Sequence, residues 1–332
     1  MASSGPNALQ GGPKHAEYAR VDRPQTRSVA PPRKHRRAFQ VAFVNNMPTA
    51  AFRATERQFL DLLQHAATGP IEFHRYRPGF AGPTAPPDGY RPVELLYEST
   101  PDALIVTGGV PQRGRVTDEP AWPELARLLE WSVHHTSSLI ASCLAAHCAL
   151  AAFDGVERRQ LPVKRAGVLR QLVRSRHPMA EGLPATVRLP QSRYGDVPEE
   201  FAEAAGYQVL LASKRSGWTV ASKRVAKCDV VLMQGHPEYD GASLILEYRR
   251  DLHRWLEGDA LGPPVLPPRC AAPADMARLH HYHTSMLRGE KLDVPDLDAM
   301  ARRAPTPWMQ HSRRIYYNWM RSAGRKEAFN VA

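Results

Sequence analysis

The sequence predicts an α/β protein, a mostly parallel sheet with helices on both faces. Short apolar runs recur along it, reading as buried strands. Stretches with helical apolar spacing lie between them, and strands alternating with helices favour a parallel sheet. The 332 residues, 43% of them hydrophobic, can sustain a sizeable core, which excludes wholesale disorder.

Ala38–Asn45 (AFQVAFVN) reads as a buried strand, and Thr55–Ala67 as a helix with Phe59, Leu60, Leu62 and Leu63 on one face. Pro70–Tyr76 is strand-like and Val93–Tyr97 a short helix. Asp102–Thr107 is a buried strand ending in Gly108-Gly109. Trp122–His134 is an amphipathic helix through Leu125, Leu128, Leu129 and Val133. Ser138–Ser142 is a strand running directly into a helix at Cys143–Phe153. Strands follow at Tyr207–Ala212 and Asp229–Met233, then a long helix at Ala242–Glu257.

Charge and proline divide the chain. Residues 1–37 hold eight Lys and Arg against Glu17 and Asp22, giving +6 of the total +11, with no periodicity; a disordered basic arm is expected. Residues 38–258 form the α/β domain. A Pro-rich connector with one or two helices is expected over 259–310, where Pro263, Pro264, Pro267, Pro268 and Pro273 cluster. A helix over 311–323, carrying Ile315–Met320 (IYYNWM), should dock on the core.

Several classes drop out. Cys143, Cys148, Cys228 and Cys270 show no C-x-x-C spacing and make no disulfide scaffold. The N-terminus lacks an apolar signal core, and the most apolar stretch, 137–153, is interrupted by Ser142, Cys143 and His147. A cytoplasmic protein with no membrane association is expected. The net charge permits acidic ligands, nucleotides or nucleic acid. Zinc-finger, homeodomain and aromatic RNA-binding patterns are missing, so nucleic acid is disfavoured as a partner. His280, His281 and His283 lack a fourth ligand nearby, so no metal site is assigned.

Open α/β sheets place ligands beyond the C-terminal ends of their strands. Cys143 sits at a strand–helix junction, where the helix N-terminus favours a thiolate and the Leu144 N–H can stabilise an oxyanion. That loop alone fits an ordinary buried cysteine equally well. After the strand ending at Met233, His236 and Glu238 flank Pro237 and complete a Cys-His-Glu triad. After the strand ending at Thr107, the glycines allow close backbone approach, and Gly109 can lend a second oxyanion N–H. His147, one turn after Cys143, either tunes the thiolate or packs.

Together these motifs resemble the homoserine O-acyltransferase family (homoserine O-succinyl- or O-acetyltransferase). The likeness rests on Val44–Pro48 (VNNMP), Thr55–Phe59 (TERQF), Leu104–Gly108 (LIVTG), Trp122 with Leu129–Ser132, and the Cys143 junction. It continues through Gly155, Lys164, Gly167-Val168, Ser192–Tyr194, Gly235–Asp240, Glu247-Tyr248 and Arg250-Asp251, with an echo at Tyr317–Trp319. It implies a class I glutamine amidotransferase-like, flavodoxin-like fold. It also implies transfer of an acyl group from succinyl-CoA or acetyl-CoA to L-homoserine, in methionine biosynthesis, with no bound cofactor.

By the same resemblance Cys143 is the acyl-thioester nucleophile, His236 the general base and Glu238 its orienter. Lys164, Ser192 and Arg250 match substrate-binding positions; without the resemblance, Lys164 and Arg250 read as surface charge. Gln112 falls where the family selects its acyl donor, Glu going with acetyl and Gly with succinyl, so the donor stays open. Thr49 and Ala50 stand where basic residues are expected. Family members are commonly homodimers. L-Serine or another hydroxy amino acid is the nearest alternative acceptor; a glutaminase is disfavoured by Ser142, Leu144 and Ala145 around the cysteine, and a non-catalytic or nucleic-acid-binding protein using the basic arm is the remaining alternative.

Overall fold

The computed structural model describes residues 37–79, 89–112, 114–260 and 262–325. The basic arm expected over 1–37 lies, but for Arg37, outside the described residues.

β1 (Phe39–Val44) leads through α1 (Thr49–Ala66) to β2 (Ile71–Arg77), a short edge strand β3 (Tyr90–Pro92) and a 3₁₀ turn at Val93–Leu96. β4 (Ala103–Val106), α2 (Trp122–His135), β5 (Ser138–Ser142) and α3 (Leu144–Asp154) follow. Next come β6 (Arg159–Val173), β7 (Thr186–Asp196), α4 (Glu199–Ala204), β8 (Gln208–Ser213), β9 (Gly217–Val225) and β10 (Cys228–Met233). The chain closes with α5 (Ser243–Leu256), α6 (Pro273–Leu287), α7 (Leu297–Arg302) and α8 (Met309–Arg325).

Among the described residues, ten strands form one sheet in the order β3-β2-β1-β4-β5-β10-β9-β8-β6-β7. Neighbours from β3 to β10 pair in parallel, and those from β10 to β7 pair antiparallel. The parallel strands read as unbroken apolar runs because both their faces are buried. Val41, Phe43, Ile105, Ile140, Val231 and Met233 turn to one face, where α1, α5 and α8 cover them. Ala42, Val44, Leu104, Val106, Leu139 and Leu232 turn to the other, under α2 and α3. This period-two division is what alternating pleat directions require.

Two departures from the sequence expectations have local causes. Helix α1 starts at Thr49, six residues before Thr55, because Pro48 supplies an extended N-cap and the turns after it bury Phe52 and Glu56. The antiparallel strands β6, β7 and β9 were not anticipated. Pro162 interrupts β6, but it sits where the register shifts between Gln160 and Arg165. Pro190 interrupts β7, which is tolerated because that strand lies at the sheet edge.

The stretch expected as a connector builds on the core. Leu266, Cys270, Leu279, Tyr282, Met300 and Trp308 are buried in it. It crosses the sheet at Gly167, whose φ of +124° and bare Cα let Pro268 lie where a Cβ would meet its Cδ at 2.4 Å. The Val168 N–H donates to Pro268 O at 2.9 Å across this crossing. On α8, Ile315, Tyr316 and Trp319 are buried against α1 and the sheet, and Trp319 Nε1 donates to Ser138 Oγ at 2.8 Å. No helix among the described residues is long and apolar enough to cross a membrane.

Gly167→Ala should therefore lower stability by about 3 kcal/mol, combining an overpacked contact with a strained φ. Gly69→Ala, at a position with open space around it, should change stability by less than about 1 kcal/mol. Urea unfolding of the two variants checks the contrast.

Candidate active site

Strand β5 runs into α3 with Cys143 alone between them. To make so tight a turn Cys143 takes φ +51° and ψ −110°, a conformation that costs a non-glycine residue of order 1–3 kcal/mol. Its N–H donates to Met233 O at 2.7 Å, which pins the turn to the end of β10. Of the four cysteines only Cys143 is not buried. Burial pushes the Cys148 and Cys270 thiols up to about 12, leaving them inert at neutral pH.

The glycine loop after β4 packs against this turn. A Cβ on Gly108 would stand 3.1 Å from Cys143 Cβ and 3.6 Å from Leu144 N. Gly109 lies one step further out, against the Leu144 side chain and Asn46. Gly108 is thus the glycine in direct contact with the candidate nucleophile.

β10 delivers the imidazole. The His236 N–H donates to Pro190 O at 2.9 Å, and Gly235 passes so near the Gln191 amide that a Cβ would meet it at 2.4 Å. His236 Nδ1 lies 2.8 Å from Glu238 Oε1, and since a carboxylate only accepts, Nδ1 carries the proton. Ser142 Oγ donates to the same oxygen at 3.2 Å. His236 Nε2 faces Ser192 O at 3.2 Å, and Cys143 stands near enough to act on the charge of the ring. Tyr239 stacks on the ring with centroids 4.1 Å apart. Burial opposes charge on His236, but Glu238 and Cys143 outweigh it and raise its pKa well above the ordinary value.

Beside the triad lies a charged network anchored on α5. Glu247 accepts from Lys164 Nζ at 3.0 Å, from Tyr239 OH at 2.6 Å and from Ser192 Oγ. Lys164 Nζ also donates to Asp251 at 2.7 Å, and Arg250 donates to the same carboxylate at 2.9 and 3.1 Å. Lys164 is buried while the Arg250 side chain is half exposed. Burial works against the Glu247 charge, yet Lys164, Ser192 and Tyr239 more than offset it and hold the carboxyl at about 2. Burial likewise opposes the Lys164 charge, and Glu247 with Asp251 overcomes it, so its pKa is raised.

The structure gathers Cys143, His236, Glu238, Ser192 and Lys164 at one end of the sheet. Glu247, Asp251 and Tyr239 join them without an expected role. The available signal was spacing: Glu247, Arg250 and Asp251 lie three and four apart on one helix. Gln112 has an exposed side chain, while its N–H donates to both Glu119 oxygens at 3.0 Å. Glu119 in turn accepts from Arg158 Nη2 at 2.5 Å. His280 and His281 are exposed and His283 Nδ1 pairs with Tyr248 OH at 3.0 Å. Among the described residues no group of three or more His, Cys, Asp or Glu side chains is placed to hold a metal ion.

A thiol beside an imidazole that a carboxylate orients, at a helix N-terminus, can take up an acyl group and release it. The family model for homoserine O-succinyltransferase matches residues 25–328. The homoserine O-succinyltransferase of Methylorubrum extorquens is 35% identical over 316 residues, covering 91% of this chain and 92% of its own length. That of Rhodopseudomonas palustris is 37% identical over 242 residues, covering 70% and 71%. Among solved structures, a glutamine amido transferase from Methylobacillus flagellatus has a TM-score of 0.50 at 16% identity, over 86% of this chain and 96% of that one. This agrees with the expected fold class.

Glu247 sets a pH dependence. Folding depresses its pKa, so its contribution is complete above the ordinary carboxylate pKa of about 4.5 and fades as pH falls toward about 2. Glu247→Gln should cost about 3 kcal/mol at pH 7 by leaving buried Lys164 less compensated, and should flatten the stability loss across that acid window. Chemical unfolding at a series of pH values measures both.

Proposed function

Because the chain belongs to the homoserine O-succinyltransferase family, we propose that it acylates the hydroxyl of L-homoserine through a thioester on Cys143. The observation that carries this is the strained Cys143 junction set against His236, with Glu238 fixing the imidazole tautomer. Cys143 Sγ attacks the thioester carbonyl of succinyl-CoA with its proton already held on His236, whose raised pKa favours the imidazolium. Nε2–H of that imidazolium points to Ser192 O, while Nδ1–H stays on Glu238. The Leu144 N–H, with an N–H from the Gly108-Gly109 loop, receives the oxyanion.

Collapse of the tetrahedral intermediate expels the CoA thiolate, which takes the proton from His236. The homoserine hydroxyl then loses its proton to His236 and attacks the Cys143 thioester, releasing the O-acyl amino acid and restoring the thiol. Sulfur suits both halves, being a good nucleophile and a good leaving group. The half-exposed Arg250 guanidinium offers a fork to the amino-acid carboxylate, with Lys164 and Ser192 behind it.

The names of the relatives support a succinyl donor, and Gln112 is the side chain we assign to donor choice. The experiment is a panel of succinyl-CoA and acetyl-CoA against L-homoserine and L-serine, following CoA release. Succinyl-CoA with L-homoserine should turn over fastest with ping-pong kinetics, and mass spectrometry should find the acyl adduct on Cys143. Cys143→Ala should abolish adduct and turnover; Glu238→Gln should lower kcat by about a hundredfold or more. CoA release from no pair would refute the acyltransferase reading, and a ternary-complex kinetic pattern would refute the thioester step.

A further inference from the structure

We propose that His147 is a positioning residue that holds the nucleophile and the base in register by tying helix α3 to the end of β10 through Gln234. This rests on the reading of Cys143 and His236 as nucleophile and base. Those two side chains come from different crossovers, so their distance depends on how α3 sits relative to β10. One tie is the backbone bond from Cys143 N–H to Met233 O. The second lies one turn along α3, where His147 Nε2 stands 2.9 Å from Gln234 Oε1. Gln234 follows Met233 directly and precedes Gly235-His236.

The direction of the second bond is fixed by its surroundings. Gln234 Oε1 also accepts from Val197 N–H at 2.9 Å, and its Nε2 lies 3.3 Å from Trp218 O and 3.4 Å from Val197 O. A backbone donor on one end and two carbonyls on the other leave the amide a single orientation. Its oxygen therefore faces His147, and His147 Nε2 must carry the proton. The ring is neutral: burial pushes its pKa down to about 4, with Arg158 and Arg193 adding to the effect against the opposing pull of Gln234 and Asp196.

His147 Nδ1 is buried without a protein hydrogen-bond partner. A Cβ on Gly195 would stand 3.4 Å from it, so the backbone closes over that side of the ring. An unpartnered buried acceptor is a standing cost that an apolar side chain of similar size would avoid. What the imidazole supplies and an apolar side chain does not is the Nε2–H bond to Gln234. Its hydrogen bonding is directed at the end of the strand that leads to His236.

Two amide substitutions separate positioning from packing. In His147→Gln the side-chain nitrogen reaches about where Nε2 stands, whereas in His147→Asn it reaches only about as far as Nδ1. The readouts are kcat and KM with succinyl-CoA and L-homoserine, and the rate at which iodoacetamide alkylates Cys143 at pH 7 without substrate. His147→Gln should stay within threefold of wild type in both. His147→Asn should lose tenfold or more in kcat and in alkylation rate, with KM changed by less than threefold. Equal losses in the two variants, or no loss in His147→Asn, would overturn the proposal.

Nitrogen NMR of the wild-type imidazole gives a test independent of how the variants fold. Nε2–H is expected between pH 6 and 8, and an Nδ1–H tautomer would refute the tie. Wild-type Cys143 reacting no faster than a free thiol would sink both this proposal and the nucleophile reading beneath it. A reactive wild type with unaffected variants would sink this proposal alone.

Discussion

The parallel pairing of β5 with β10 is the constraint from which the site follows. Ser142 lies opposite Met233, so both strands leave the sheet at the same level. Cys143 comes one residue after the first and His236 three after the second. β10 is also where the sheet changes from parallel to antiparallel pairing, and so it is a switch point of the fold. A one-residue slip in that pairing would turn Met233 from one core face to the other and carry His236 out of place. The core therefore sets the level at which Cys143 and His236 leave the sheet.

The charged network beside the triad follows a different logic. Lys164 and Glu247 are ionised in a setting where removing both charges and filling the space with apolar groups would often cost nothing. Its arrangement is better understood from where its oxygens and nitrogens point. Glu247 holds Tyr239, which stacks on His236, and Ser192, whose carbonyl faces His236 Nε2. One buried carboxylate thus bears on His236 from two sides. It also keeps Lys164 charged at the edge of the same site.

The parallel half of the sheet was legible in the sequence and the antiparallel half was not. Runs such as Ala103–Val106 are apolar on both faces and admit few interpretations. β6 carries Arg159, Lys164, Arg165 and Arg170 with Pro162 among them, and its inward residues emerge only once β7 and β8 pair with it. Cys143, His236 and Glu238 were legible because each follows a recognisable strand end. Glu247 and Asp251 were hidden, since on a helix as polar as α5 a carboxylate looks like solvent-facing charge until Lys164 arrives from β6. His147 was visible as a helix neighbour of Cys143, but its partner lies 87 residues away, beyond the reach of local spacing.

The C-terminal third belongs to the same mechanical unit as the triad. Trp308 Nε1 donates to Tyr239 O at 2.8 Å, gripping the loop that holds His236 and Glu238. Gly241, two residues on, approaches Ala304 O so closely that a Cβ would meet it at 2.3 Å. At the other end of the sheet Trp319 bonds Ser138 at the start of β5, and Asn318 donates to Met179 O and Glu181 O. The strand leading to Cys143 and the loop bearing His236 and Glu238 are therefore both held from residues 304–319. In a flavodoxin-like sheet the loops beyond the strand ends are the parts most free to move. Here a segment that reads in sequence as a proline-rich connector and a terminal helix holds one of them, the Tyr239–Gly241 loop. Trp308 and Trp319 thus brace the loop after β10 and the start of β5.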